Sequence, residues 1–388
     1  MFPQIDKPEN INSKDWEDWQ WQIKNSISSV EELADYIEVD QKLASEIEET
    51  EAKYRWKVTP YFANLMKRDK DSGGIRKQVV PTNRELHDPV GVIDPLDEEK
   101  HSPAPGIIKV YPDRIAWCIS DNCAALCRHC LRKRFMTAGE EGDFSREGRQ
   151  QALEYISQTP EIRDVLLTGG DPLLYPDSWL EDILKQLTAI DHVEIVRIGS
   201  RVPSTLPQRI TPGLCTMLKK YHPLWLNTQF NHPLELTAAA RKACSRLAEA
   251  GIPLGNQSVL LKGINDDPET MKELVQGLVA MRVRPYYIYQ CQILEGTEHF
   301  RTPIEDGINI IYNLRGFTTG FSVPTYVLDT PVGKVPMNPE YVKLRDKEGV
   351  VFSNFLGKDW REPNAAPKPG TKYEIDSWRL PFNEDLTD

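Results

Sequence analysis

The stretch that decides the fold reads Arg114-Ile-Ala-Trp-Cys118-Ile-Ser120-Asp-Asn-Cys123-Ala-Ala-Leu-Cys127-Arg-His-Cys130. Its first half is a short apolar run with the length of a buried strand. Its second half is a CxxxCxxC loop that begins as the strand ends. Three chemistries suit such a loop. A structural zinc site wants four closed ligands and usually a second cysteine knuckle, which this chain lacks. A redox dithiol at Cys127 and Cys130, with basic neighbours to lower a thiol pKa, leaves Cys123 idle. A [4Fe–4S] cluster held by three thiolates uses all three and leaves one iron open to a small ligand. Cys118, inside the strand, reads as an ordinary core residue.

Downstream the pattern repeats. Strands are predicted at Arg114 to Ser120, Asp164 to Thr168, Val193 to Ile198, Leu224 to Phe230, Pro253 to Leu261 and Arg284 to Gln290. Helical spacing lies between them, as in Leu180, Ile183, Leu184, Leu187 and in Met271, Leu274, Val275, Leu278. Six βα units with right-handed crossovers make a parallel α/β sheet, better suited to a partial (βα)6 barrel than to a closed eight-stranded one. In such folds chemistry sits where strands end, which is where the cysteine loop falls. A last helix is predicted near Ile304 to Leu314, then a Gly- and Pro-punctuated segment from Thr325 to Pro339 and a polar tail from Lys358.

Upstream, the first hundred residues read as helical. Trp16, Trp19, Ile23 and Ile27 recur at helical spacing behind Asn12-Ser13, with Trp21 off that face. Ser29 with Glu32 resembles a capping box, Leu43 and Ile47 mark a further amphipathic stretch, and Thr59-Pro60 opens another helix before Asp71-Ser72-Gly73-Gly74 breaks it. His101-Ser-Pro-Ala-Pro-Gly106 reads as a linker. The organisation expected is a helical, packing or oligomerisation domain over 1–102, the partial barrel over 103–320 and a C-terminal segment over 321–388. Beyond the βα period there is no internal repeat.

The composition excludes several classes. The 388 residues carry 47 Lys+Arg against 58 Asp+Glu, a formal charge of −11, and an acidic chain lacks the dense basic face that a nucleic-acid binder needs. No run of about 18 apolar residues marks a membrane span, and the start lacks the pattern of a signal peptide. A cytoplasmic protein is expected. Seven cysteines are too few for a disulfide scaffold, and four of them crowd into Cys118 to Cys130.

That loop, with His129 as the aromatic residue before its last cysteine, resembles the radical S-adenosylmethionine superfamily. The motifs that follow are similar to one branch of it, lysine 2,3-aminomutase and its relatives: Leu131-Arg-Lys-Arg-Phe135, DVLLTGGDPLL at 164–174, EIVRIGSRVP at 194–203, WLNTQFNHP at 225–233, PLGNQSVLL at 253–261, RPYYIYQC at 284–291 and EHFRTP at 298–303. The likeness runs from Trp16 to Phe355. It implies an isomerase that moves an amino group from Cα to Cβ. Cys123, Cys127 and Cys130 match the ligands of a [4Fe–4S] cluster whose open iron chelates S-adenosyl-L-methionine. Gly169, Gly170 and Asp171 match the loop at the methionine end, where glycines permit close approach and Asp171 accepts from the ammonium. One-electron reduction by an external donor such as flavodoxin or ferredoxin releases a 5′-deoxyadenosyl radical. Pyridoxal 5′-phosphate carries the migrating amino group as an imine; hydrogen leaves Cβ, the nitrogen bridges the two carbons, and hydrogen returns.

The resemblance makes Lys334, in Thr330-Pro-Val-Gly333-Lys334-Val-Pro336, the lysine that binds pyridoxal phosphate, with Val-Gly where the family has a longer glycine run. Arg114 matches the partner of the cofactor phosphate and Arg132 the holder of the substrate carboxylate. Lysine-specific members grip the distal ammonium with two aspartates. Asp329 matches one, but Gln292 stands at the other, and Gln229 stands where lysine enzymes commonly carry His. L-Lysine to β-lysine is the first expectation. Arginine or another basic amino acid comes next; Asp329 speaks against glutamate. A lysine destined for transfer to a protein is a further possibility. No cysteine follows Cys291, so no C-terminal zinc is expected, and a homo-oligomer is. The reading of another class is a non-catalytic metal- or redox-binding cysteine-motif protein.

Overall fold

In strands with one apolar and one mixed face, alternate side chains go to opposite sides of the sheet, and here that alternation builds both the core and the cavity. The computed structural model describes residues 2–69, 73–137, 144–338, 341–346, 349–354 and 356–362. It forms two compact units, Met1–Asn338 and Pro339–Asp388.

The first unit contains a nine-stranded sheet whose spatial order is its sequence order: β1 (Ile107–Ile108), β2 (Arg114–Ser120), β3 (Asp164–Gly169), β4 (Ile195–Gly199), β5 (Leu224–Thr228), β6 (Leu254–Leu260), β7 (Arg284–Gln290), β8 (Thr325–Thr330) and β9 (Gly333–Pro336). Strands β2 to β8 are parallel, and β1 and β9 add antiparallel edges. The sheet curls into a half-barrel with crossover helices outside, such as Asp177–Thr188 between β3 and β4. On the helix side Val165, Leu167, Val196 and Ile198 pack in one core with Leu180, Ile183, Leu184 and Leu187. Each of those side chains contributes about 1.5–3 kcal/mol by leaving water. The alternate residues, Asp164, Leu166, Thr168 and Arg197 among them, line the cavity inside the curl.

The six predicted strands are β2 to β7, with ends shifted by at most two residues. Two expectations need correction. The segment from Thr325 is not merely punctuated coil: Thr325–Thr330 is a seventh parallel strand, and Gly333, at φ +113°, lets the chain turn back into β9. The helical run from Trp16 to Ile27 is broken. Asp18 ends the helix Ser13–Glu17 and caps Trp19–Lys24 through the Gln20 N–H at 2.9 Å, while Ile27 pairs with Val58 in a β-bridge. A short polar side chain at a cap competes with helix continuation, and apolar spacing does not register it. Thr59 caps Pro60–Leu65 as expected.

A core of Trp56, Val58, Tyr61, Phe62 and neighbours closes around Ala125 of the cysteine loop. The second unit, taken by itself, contains an antiparallel sheet of β10 (Val342–Asp346), β11 (Gly349–Ser353) and β12 (Asp359–Glu362). Most of the predicted polar tail, 363–388, lies outside the described residues, as do 71 and 72 of the predicted break.

Candidate active site

The cysteine loop is tied down from both ends. The Leu126 N–H donates to the Lys57 carbonyl and the Arg128 N–H to the Gln78 carbonyl, both at 2.8 Å. The Arg128 guanidinium forks onto the Glu85 carboxylate at 2.9 and 2.8 Å, and the Lys133 ammonium reaches the same carboxylate. All three side chains are shut away from solvent. Burial pulls the Lys133 ammonium down to about 8 although Glu85 opposes the change. Such a group holds only while both cations keep their shared anion.

From the other side the loop is met by Gly169-Gly170-Asp171. Gly169 has φ +112°, and a Cβ there would fall 2.5 Å from the Ser120 carbonyl oxygen; at Gly170 it would fall 2.5 Å from that of Asn122. These glycines therefore let the end of β3 lie against the cysteine loop, with the Asp171 N–H donating to the Asn122 carbonyl at 2.7 Å. Asp171 is expected to meet an ammonium, yet its carboxylate is used within the chain. It accepts from the Ser200 hydroxyl at 2.7 Å and from the N–H groups of Leu173, Arg201 and Val202 at 3.1, 2.8 and 3.2 Å. Four donors fill its acceptor positions, so it positions the segment after β4.

Cys123, Cys127 and Cys130 line one cavity of about 910 Å³. Among the described residues no three His, Cys, Asp or Glu side chains gather closely enough to hold a single metal ion. The thiols instead form part of the cavity wall. Burial pushes the Cys130 thiol up to about 11, with Cys127 adding to it, and holds the Cys123 thiol well above its ordinary range, with Asp171 adding to it. Bare buried thiolates are costly here, which is the condition of a donor set made for a cationic centre. Other groups on the same wall have donors or acceptors without partners: Nδ1 of His129, Nδ2 of Asn227 and the Thr228 hydroxyl, all buried. Buried polar groups of this kind call for a polar ligand.

Lys334 lines the far wall of this same cavity. It is paired in register with Asp329 across β8 and β9, its ammonium 3.2 Å from the Asp329 carboxylate. Its backbone N–H donates to the Tyr111 hydroxyl at 2.8 Å, and its ammonium stands 5.8 and 5.7 Å from the ring centres of Tyr111 and Tyr289. Arg114 stacks on the Tyr111 ring at 3.6 Å and pairs with Asp113 at 2.9 Å. Gln292 donates from Nε2 to the Asp329 carbonyl at 3.0 Å. Arg132 lines the cavity too, paired with Glu98 at 2.9 Å.

All eleven candidate site residues taken from the sequence thus line one cavity. Sequence reasoning passed over Tyr111, just upstream of Arg114, and also Tyr289 and Arg201, although the last two lie inside quoted motifs. Beside Cys127, Arg201 donates to the sulfur at 2.7 Å. Its motif carried it, but nothing in the motif told which way its side chain points.

A sequence profile described as "Radical SAM superfamily" matches residues 117–275, and one described as "Lysine-2,3-aminomutase" matches residues 311–378. An L-lysine 2,3-aminomutase of Fusobacterium nucleatum is 52% identical over 352 residues, 90% of this chain and 82% of the relative. The chain belongs to the lysine 2,3-aminomutase family. An L-lysine 2,3-aminomutase of Clostridium subterminale is 50% identical over 352 residues, covering 90% of this chain and 84% of the relative. A glutamate 2,3-aminomutase of Clostridioides difficile is 42% identical over 351 residues, covering 90% and 83%. As a radical S-adenosylmethionine aminomutase the protein is an isomerase, and its superfamily implies a [4Fe–4S] cluster and S-adenosylmethionine. The donor set fits both: three thiols on one wall, with unpartnered polar groups beside them. Among the described residues no helix is long and apolar enough to cross a membrane.

Proposed function

We propose that this aminomutase rearranges a basic α-amino acid, L-lysine first, to its β-amino isomer with the help of pyridoxal 5′-phosphate. The observation that carries the reading is that the thiol loop and the Lys334–Asp329 pair line one continuous cavity. Cys123, Cys127 and Cys130 hold the cluster. Lys334 and Arg114, both in contact with the Tyr111 ring, hold pyridoxal phosphate by its ring and its phosphate. Bound together, the cluster and S-adenosylmethionine supply a carbon radical once an external one-electron donor reduces them, while pyridoxal phosphate carries the amino group between neighbouring carbons.

The chain's own part is to orient and to shield. Asp329 accepts from the Lys334 ammonium, and its carboxylate is the anion that would face the substrate's distal cation. Arg132 presents a fixed positive charge to the substrate carboxylate. Tyr289, whose phenol is held far above its ordinary range by burial and then by Asp329, stays a neutral donor in the wall, and Gln257 donates to its oxygen at 3.1 Å.

A second reading, arginine, is favoured by Gln292. Its Nε2 is spent on the Asp329 carbonyl, so its Oε1 and the Asp329 carboxylate, which also accepts from Lys334, are two acceptors for a forked guanidinium. Anaerobic turnover with lysine, arginine, ornithine and glutamate separately, reading β-amino acid, tests both. Rearrangement of lysine or arginine is expected. If none of the four rearranges, the proposal fails.

A further inference from the structure

We infer that Arg201 is a positioning residue for the iron–sulfur cluster: its guanidinium, fixed by Gln78 and Glu235, donates to the Cys127 sulfur and raises the reduction potential of the cluster bound there. The inference rests on the three cysteines being the cluster ligands.

Arg201 follows β4 and is 8% exposed. Its backbone is pinned by the N–H donated to Asp171 at 2.8 Å. Nη1 points at the Cys127 sulfur at 2.7 Å. Nη2 donates to Oε1 of Gln78 and, at 3.3 Å, to Oε2 of Glu235. These two anchors are themselves immobile. Gln78 is fully buried, donates to the Gly74 carbonyl and to Glu235, and accepts from Asn231 Nδ2 at 3.1 Å. Glu235 is also fully buried and accepts from the Ser204 hydroxyl and the N–H groups of Asn231 and His232. Each partner has its other hydrogen bonds elsewhere, so the guanidinium is aimed before any cluster arrives.

Placement of this cation on one ligand has a definite consequence. When the cluster accepts one electron from a one-electron donor protein, negative charge on its sulfurs rises by one unit shared among them. An N–H donor to a ligand sulfur stabilises that added charge, and the potential moves up. Glu235 neutralises the guanidinium from the far side, so the effect is a directed hydrogen bond more than a net charge. Gln78 comes from the N-terminal helical region, and its carbonyl also accepts the Arg128 N–H. That region therefore both shapes the cysteine loop and aims the donor at it.

The test uses the full chain reconstituted anaerobically with iron and sulfide, comparing wild type with Arg201→Gln and Arg201→Lys. Iron content and the midpoint potential are read by EPR-monitored potentiometric titration. The expected result is full iron content with a lower midpoint potential in Arg201→Gln, so that a smaller fraction is reduced at a fixed poise. An unchanged midpoint in an iron-replete Arg201→Gln overturns the inference. If Arg201→Gln loses iron, Arg201→Lys decides: a lowered midpoint supports tuning, and an unchanged one overturns it. If both variants lose iron, Arg201 serves assembly alone and the inference is wrong. A wild-type chain that takes up no cluster is a different failure, that of the functional reading.

Discussion

The backbone N–H of Lys334, on the last strand of the half-barrel, donates at 2.8 Å to the hydroxyl of Tyr111, which lies between the first two strands. One hydrogen bond thus spans the open seam of the curled sheet and fixes the lysine beside the arginine that stacks on the same ring. Tyr111→Phe keeps the stacking surface for Arg114 and removes the acceptor, a loss of about 0.5–1.5 kcal/mol. The variant is expected to retain less pyridoxal phosphate, read from its visible absorbance, at unchanged iron content. Equal retention would show that the seam contact does not position Lys334.

Glu85 is the single anion shared by Arg128 and Lys133, all three buried. Glu85→Ala strands two buried cations and is expected to cost about 3–5 kcal/mol, measured as a lowered urea midpoint. A shift under about 1 kcal/mol would mean that water or a neighbouring carbonyl already compensates.

Gly170→Ala drives a methyl group to within 2.5 Å of the Asn122 carbonyl oxygen. Because the obstacle is backbone, the cysteine loop must shift. The expected outcome is a folded protein with sharply reduced iron after reconstitution. Iron content equal to wild type would count against the close-approach role given to this glycine.

His299 lies against Phe300, with ring centres 4.0 Å apart, and both of its nitrogens are buried without partners. Burial pulls its imidazole down to about 4, against the opposing influence of Glu85. The folded value lies below the ordinary 6.5, so as pH falls the unfolded chain takes up the proton first. The contribution to stability is therefore full above about 6.5 and is lost as pH falls toward 4. His299→Phe should lessen the loss of unfolding free energy between pH 7 and pH 5, followed by urea denaturation. An unaltered acid slope would place the effect on other groups.

The strands β2 to β7 and their helices were legible because burial on the helix side imposes an apolar period that local sequence records. Strand β8 was not read, since its neighbours Pro331 and Gly333 look like loop until the edge of the sheet gives them a partner. The break at Asp18 was missed for a similar reason: a cap is a hydrogen bond, and apolar spacing does not reveal it.

The sequence by itself determined the chemistry on offer: three thiols on one loop after a strand, a lysine after the last turn, arginines and an aspartate in ordered motifs. Residue type and spacing suffice for the thiol loop; the lysine, the arginines and the aspartate were legible through likeness to the family's motifs. Only the tertiary structure decided what each group faces. It gave the Asp171 carboxylate the Ser200 hydroxyl and three backbone N–H groups as donors, made Gly169 and Gly170 a seat for the cysteine loop, set Tyr111 across the seam from Lys334, and aimed Arg201 at Cys127. Hydrogen-bond direction between residues 74 positions apart, as in Arg201 and Cys127, depends on how strands and loops stack, and no local pattern encodes it.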